Sequence, residues 1–274
     1  MTGADTWAVR VGFLYPGYAA EDDYPRLAER VRLPVRAEVV HTSIGEDAHR
    51  VDALSDMGGI PRLLEGARRM ANRKVSSVMW SSTSASFVLG WEGAKKQAAA
   101  LEDSLGVPAS TTALAFLDAA TALGVERVAV VATYPDDIAR RFEKFLNRGG
   151  IDVCQIGSHG IITAAEVGTL GRDAVLNMVG KNDHPDAEAL LVPDTALHTV
   201  AWLEELEAAV RKPVLTANQV TFWEALRLAR RLEAQAGLGT LFRSQPGIGH
   251  GFSRANLTQA CKSFGTRYLL YPET

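Results

Sequence analysis

The feature that most constrains this chain is a sustained alternation of short Val- and Ile-rich runs with longer amphipathic stretches. The runs fall at 8–14, 35–40, 75–80, 127–132, 151–156, 189–192 and 213–215. They are too short to be helices and carry the β-branched character of strands. Between them, 60–73, 91–105, 112–123, 136–147, 164–179, 196–210 and 219–236 show helical periodicity, several opened by Pro, Ser, Thr or Asp in capping position. Such βαβα order predicts an α/β fold with parallel sheets covered by helices on both faces. Residues 1–115 and 116–212 each read strand, helix, strand, helix, strand, which predicts two similar lobes. From about Ser244, the segment 245–251 (Gln-Pro-Gly-Ile-Gly-His-Gly) opens a C-terminal extension, 244–274, that reads as surface chain or a lid.

At 274 residues, 47% hydrophobic and 22% charged, the chain can bury a full core. Its net charge of −3, with no long run of one sign, argues against nucleic acid as a partner. No apolar stretch approaches a membrane span and no signal pattern opens the chain, so the expected home is the cytoplasm. Self-association into a homo-oligomer is left open. Cys154 and Cys261 stand in no ligand spacing, and Cys154 reads as a small buried hydrophobe. There is no GxGxxG after a strand, no GxxxxGK[ST] and no HExxH, and the six histidines are scattered. Chemistry without cofactor or metal is therefore expected.

Two strand ends break into small polar residues: Ser81 to Ser86 after 78–80, and Pro193, Asp194 and Thr195 after 190–192. Ligands of open α/β sheets sit at carboxyl strand ends, so these two ends are the candidate site. Asp194 reads either as a catalytic acid or base, or as the N-cap of the helix expected over 196–210. Ser82 has no histidine near it in sequence to make it a nucleophile and reads as a wall of the site. Pro16 and Tyr18, just after the first strand, and Thr195 are placed to line it. His198, four residues beyond Asp194, would lie one helical turn away. Trp80, Trp91, Trp202 and Trp223 fall on apolar positions and read as core.

Taken together, Ser82 to Gly90, Gly106 to Ala113, Val11 to Pro16, Ala132 to Asp137 and Lys212 to Trp223 resemble the arylmalonate decarboxylase and maleate cis-trans isomerase family of the aspartate/glutamate racemase superfamily. The resemblance covers residues 8 to 243. It implies two pseudo-symmetric Rossmann-like lobes, 1–115 plus 213–243 and 116–212, with the active site in the cleft between them. It further implies cofactor-free proton or carbanion chemistry beside a carboxylate of a small organic acid. The family holds that carboxylate with backbone N–H groups, a Thr-Ser pair and a Tyr, positions that match Thr83, Ser84 and Tyr134. The plain alternative for Thr83 and Ser84 is that they cap the following helix.

The departures are as informative. Where racemases and the isomerase place a Cys in each lobe, this chain aligns Ser82 and Asp194. The decarboxylase keeps only the second of those thiols. A two-thiol racemase mechanism is excluded on that alignment, and maleate isomerisation is disfavoured by Gly17 to Glu21 replacing the isomerase's Asn-containing segment. A thiol with a pKa of about 8.5 is a proton donor at neutral pH, whereas a carboxyl of about 3.9 is a base unless its surroundings hold the proton on. The sequence leaves three readings: a decarboxylase-like lyase or isomerase using Asp194, a hydratase or hydrolase in which Asp194 activates water, and an inactive carboxylate-binding protein.

Overall fold

Val9–Pro16 is apolar apart from Arg10, as a strand buried on both faces requires. It forms the interior strand β1 of the first of two parallel sheets. The computed structural model describes residues 9–244. Around β1 stand β2 (Val35–Thr42), β3 (Val78–Trp80) and β4 (Ala109–Thr111), in the order β2-β1-β3-β4. The second sheet repeats that order as β6-β5-β7-β8, from β5 (Arg127–Ala132), β6 (Asp152–Ser158), β7 (Ala189–Val192) and β8 (Val214–Thr216). The expected α/β architecture of two similar parallel sheets flanked by helices is thus present.

On the first half lie α1 (Asp23–Arg30), α2 (Val51–Met57), α3 (Ile60–Met70), α4 (Ser84–Phe87) and α5 (Gly90–Leu105). The connecting helix α6 (Thr112–Leu123) leads to α7 (Asp136–Arg148), α8 (Ala164–Val167), α9 (Arg172–Lys181) and α10 (Leu203–Val210). The helices α11 (Ala217–Leu228) and α12 (Gly239–Arg243) close the described chain. Along β5 the side chains alternate between two cores. Val128, Val130 and Ala132 face the larger one, while Ala129 and Val131 join Val175, Val179, Leu190 and Val192 in the smaller.

Several expectations need correction. Residues 213–243 do not return as a block to the first lobe: Leu190, Leu191 and Val192 pair with Val214, Leu215 and Thr216, so β8 belongs to the second sheet. The connection through α10 is a βαβ unit whose strands are neighbours. It is α11 that crosses over, packing on α6 and α1. The helix expected over 164–179 is broken between Val167 and Arg172, where Gly168 and Gly171 lie. That over 196–210 starts only with a 3-10 turn at Val200–Trp202, and that over 219–236 spans Ala217–Leu228. The strand β4 was not expected, being three residues of Ala, Ser and Thr without an apolar signature. Cys154 is half-buried in β6, where its thiol donates to Val128 O at 3.3 Å. Cys261 and the extension beyond Ser244 lie outside the described residues. Among the described residues no helix is long and apolar enough to cross a membrane.

The α6–α11 packing buries a carboxyl. Glu224 on α11 is 1% exposed, receives two hydrogen bonds of 2.6 Å from Arg227, and lies near Asp118 on α6. Burial outweighs the arginine and, with the Asp118 charge, pushes its pKa from 4.5 up to about 7. The native state therefore holds this proton more tightly than the unfolded chain. The resulting stability is full below pH 4.5 and is lost as pH rises through 7. Glu224→Gln should flatten the decline in unfolding free energy over that window, which this group sets at roughly 2–3 kcal/mol. Urea melts at pH 4.5, 6 and 8 check this; an unchanged slope in the variant would show that Glu224 is not the group responsible.

Candidate active site

The carboxyl ends of β1, β3 and β7 meet at a partly open cavity of about 60 Å³. From the first half its wall takes Tyr15, Pro16, Gly17 and Tyr18 after β1, Ser82 and Ser84 after β3, and the stretch around α2 that includes Ile44, Asp47, His49, Leu54 and Met57. From the second half it takes Ala164, Asp194, Thr195 and Ala196. No lysine or arginine is among these lining residues.

Asp194, 4% exposed, is held at both oxygens. Oδ1 accepts from Ala196 N at 2.9 Å, and Oδ2 accepts a short bond from the Thr133 hydroxyl at the end of β5. Two accepted bonds are the pattern of a carboxylate. Asp194 does not cap a helix, because the chain over 195–199 is not helical. Thr199 and Val200 instead turn their N–H groups onto Asp23 Oδ2.

Across the cavity, Ser82 Oγ accepts from Ala85 N at 3.3 Å, so it is Ser82 that caps the short α4. Thr83, at the N-cap position, makes no side-chain cap bond, and its buried Oγ1, short of a well-formed hydrogen bond, lies beside the Tyr134 phenol. The plain capping reading of Thr83 is thereby overturned. A buried hydroxyl left this way is costly unless a further group completes it. Gln97 locks this turn by donating to Gly58 O and Ala85 O, each at 2.8 Å. Gly58 must be glycine here, because a Cβ would stand 2.0 Å from Ala85 O.

Of the residues singled out from sequence, Pro16, Tyr18, Ser82, Ser84, Asp194 and Thr195 line the cavity. Thr83 and Tyr134 are fully buried beside it without reaching its wall. The Tyr134 hydroxyl donates to Pro193 O at 2.8 Å, and burial, reinforced by the Asp194 charge, raises its pKa well above 10.0, with the Thr83 and Ser84 hydroxyls opposing. It is a phenol throughout the working range. His198 is not at the site. With no helix to carry it over Asp194, its Nε2 meets Asp22 Oδ1 at 2.8 Å between the lobes.

Two residues were missed from sequence. Thr133 sits in a stretch from which only Tyr134 was taken. His49 lies in the loop before α2, and a histidine in a loop gives no periodic or spacing signal. In the structure it is 7% exposed, packs edge-on against Tyr134 at 4.9 Å, and brings Nε2 to 4.0 Å from Asp194 Oδ2.

One group among the described residues has metal-ligand character: Asp22, Asp23 and His198, with ligand atoms within 4.8 Å of one another. It lies outside the cavity wall, and the His198–Asp22 pair and the three donors on Asp23 Oδ2 already engage it.

This geometry, two like α/β sheets meeting at a small polar cavity, is that of a known class. Residues 42–242 match the family model for arylmalonate decarboxylase. The chain belongs to that family. It is 28% identical over 186 residues to the arylmalonate decarboxylase of Bordetella bronchiseptica, covering 67% of this chain and 78% of that one. Among solved structures, a liganded arylmalonate decarboxylase mutant superposes with a TM-score of 0.75 at 25% identity, over 87% of this chain and all of its own. A maleate isomerase mutant from Pseudomonas putida S16 with maleate superposes at 0.79, over 86% of this chain and 98% of its own; its 22% identity speaks to the fold alone.

Thr133→Val tests what positions Asp194. Removing the hydroxyl leaves a buried carboxylate oxygen without its donor, an expected loss of about 1–3 kcal/mol. Denaturant unfolding at pH 7 checks this; a variant as stable as wild type would mean that Thr133 does not hold the carboxylate.

Proposed function

We propose that this protein is a cofactor-independent lyase or isomerase that makes or quenches a carbanion beside a carboxylate of a small organic acid, with Asp194 as its acid/base group. The observation that carries the reading is Asp194 itself. It is a buried carboxylate fixed by Thr133 and Ala196, facing Ser82 and Ser84 across one cavity in an arylmalonate decarboxylase fold. On the wall itself the Ser82 and Ser84 hydroxyls are the groups placed to receive the substrate carboxylate, with Thr83 and the Tyr134 phenol buried beside them. Donors already fixed in place stabilise an enediolate as its charge develops, with little reorganisation.

Cavity size supports a small substrate. Space of about 60 Å³ is several times the roughly 10–15 Å³ that one water needs and suits a small acid. The hydrogen-bond pattern supports a base at Asp194 rather than a carboxylic acid. The same pattern favours, as second reading, activation of water by Asp194 in a hydratase or hydrolase.

The deciding experiment is a thermal-shift screen of small mono- and dicarboxylates and α-substituted malonates, with product analysis of each stabilising acid. Conversion is expected, with kcat reduced at least about 100-fold in Asp194→Asn while the acid still stabilises the variant. Addition of water across a double bond would establish the hydratase reading. Stabilisation without conversion would identify a binding protein. Conversion undiminished in Asp194→Asn would remove Asp194 from the chemistry.

A further inference from the structure

A carboxylate base leaves one half of the chemistry without a group: something must return a proton to the carbanion. From the placement of His49 we infer that its imidazolium is the proton donor, with Asp194 as its counter-ion. This rests on the acid/base reading of Asp194 above.

The ring is held in one orientation. Nδ1 lies 2.8 Å from Ile161 O, and a carbonyl can only accept, so Nδ1 carries a hydrogen. The other nitrogen, Nε2, faces Asp194 Oδ2 at 4.0 Å. The backbone is fixed as well, His49 N donating to Ile162 O at 2.6 Å, so a first-half loop is laced to the second half just where the ring enters the cavity.

Among the described residues, Asp194 is the charged group that His49 faces. Asp47 turns its carboxylate to the N–H groups of Ala164 and Ala165. Arg50 is at the surface, paired with Glu46 and Asp52. Tyr134, edge-on to the ring, is a neutral phenol. Asp194 in turn has both oxygens engaged as acceptors and is suited to remain an anion. An imidazolium beside a buried carboxylate is favoured by direct attraction.

In the lyase direction the balance is as follows. The bond from the α-carbon to the departing carboxylate breaks, carbon dioxide leaves, and the electron pair stays on the α-carbon as the enediolate of the remaining carboxylate. The His49 Nε2–H bond then breaks and the new C–H bond forms. Its former bonding pair remains on Nε2, which takes the next proton from water. In this direction Asp194 gains and loses no proton and is the counter-ion alone; it acts as base only where a C–H bond at the α-carbon must break, as in an isomerisation. The pair does the work of a neutral thiol, which gives up its proton and recovers it in the same way.

Two measurements on the full chain test this. Nitrogen NMR of His49 needs no substrate: at the working pH the wild-type Nε2 signal should be that of a nitrogen carrying hydrogen, and in Asp194→Asn it should move toward the bare nitrogen. An unchanged signal overturns the pairing. With an acid that the wild type converts, His49→Gln and His49→Asn should lower kcat at least about 100-fold with KM within a few-fold. The Asn amide can still donate to Ile161 O, which separates lost proton transfer from a disordered loop. Retention of kcat within about threefold in folded His49→Asn overturns the role even if the NMR signal moves. If the wild type converts no acid, the proposed function itself fails and proton delivery falls with it, while the NMR signal still reports whether the charged pair exists.

Discussion

The site depends on holding the carboxyl ends of two separate sheets against each other, and a buried hydrogen-bonded belt around Asp23 does this. Asp23 Oδ2 accepts from Thr199 N, Val200 N and Asn218 Nδ2, so a carboxylate at the start of α1 is bound by backbone of the second half and a side chain of α11. Asn218 also donates to Thr195 O at 3.2 Å and accepts from the Tyr24 hydroxyl at 3.0 Å. The Tyr15 hydroxyl donates to the same Thr195 carbonyl. Burial raises the Asp23 pKa, and the Asn218 and Thr199 bonds and the His198 charge oppose it. Hydrogen bonds of this kind to a charged group contribute about 1.5–3 kcal/mol each. The belt also explains why His198 is absent from the cavity: Asp23 draws Thr199 and Val200 across to the first half, and the ring beside them meets Asp22.

With the sheets so held, the two reactive strand ends become equivalent positions. Ser82 stands two residues beyond the end of β3 and Asp194 two residues beyond the end of β7, and β3 and β7 occupy matching places in their sheets. Each side chain is aimed by the strand next to its own or by the turn it begins. Thr133, at the end of neighbouring β5, fixes Asp194, while Ala85 N fixes Ser82. A hydroxyl and a carboxylate therefore face each other because the same topology is used twice, with different residues at one register position.

How much of this could be read from sequence follows from which interactions are local. Strand runs such as 127–132 and helices such as 112–123 and 136–147 carry their own periodicity and were legible. So were Ser82 and Asp194, because strand ends are visible as a break in apolar character. The strand β4 was not legible, since Ala109–Thr111 is apolar only in its surroundings, nor was the placement of β8, which is decided by pairing with β7. The late start of α10 was hidden because the groups that take the N–H donors of Thr199 and Val200 come from Asp23, 176 and 177 residues away. Likewise Thr83 looked like a helix cap, and only the structure shows Ser82 taking that bond. His49 was invisible for the same reason: its partners, Ile161 and Asp194, are both in the other half of the chain.

The absence of lysine and arginine from the cavity wall fits a site that must keep its carboxylate basic. A guanidinium there would compete bidentately with the Thr133 and Ala196 donors for both Asp194 oxygens and neutralise the carboxylate in place. A histidine at 4.0 Å is close enough to share charge with Asp194 and too far to take its hydrogen-bonding sites. The same economy governs entry. Tyr18, 75% exposed, is held at the cavity edge by stacking on His41 at 4.0 Å, and His41 Nδ1 is anchored to Gly17 O at 2.6 Å. Gly17 adopts φ +68, a turn that glycine makes without strain. The deep wall of Ser82, His49 and Asp194 is fixed by buried hydrogen bonds, whereas the outer wall is a surface stack. Rearrangement to admit a substrate larger than the cavity is therefore cheapest at Tyr18, at the outer wall.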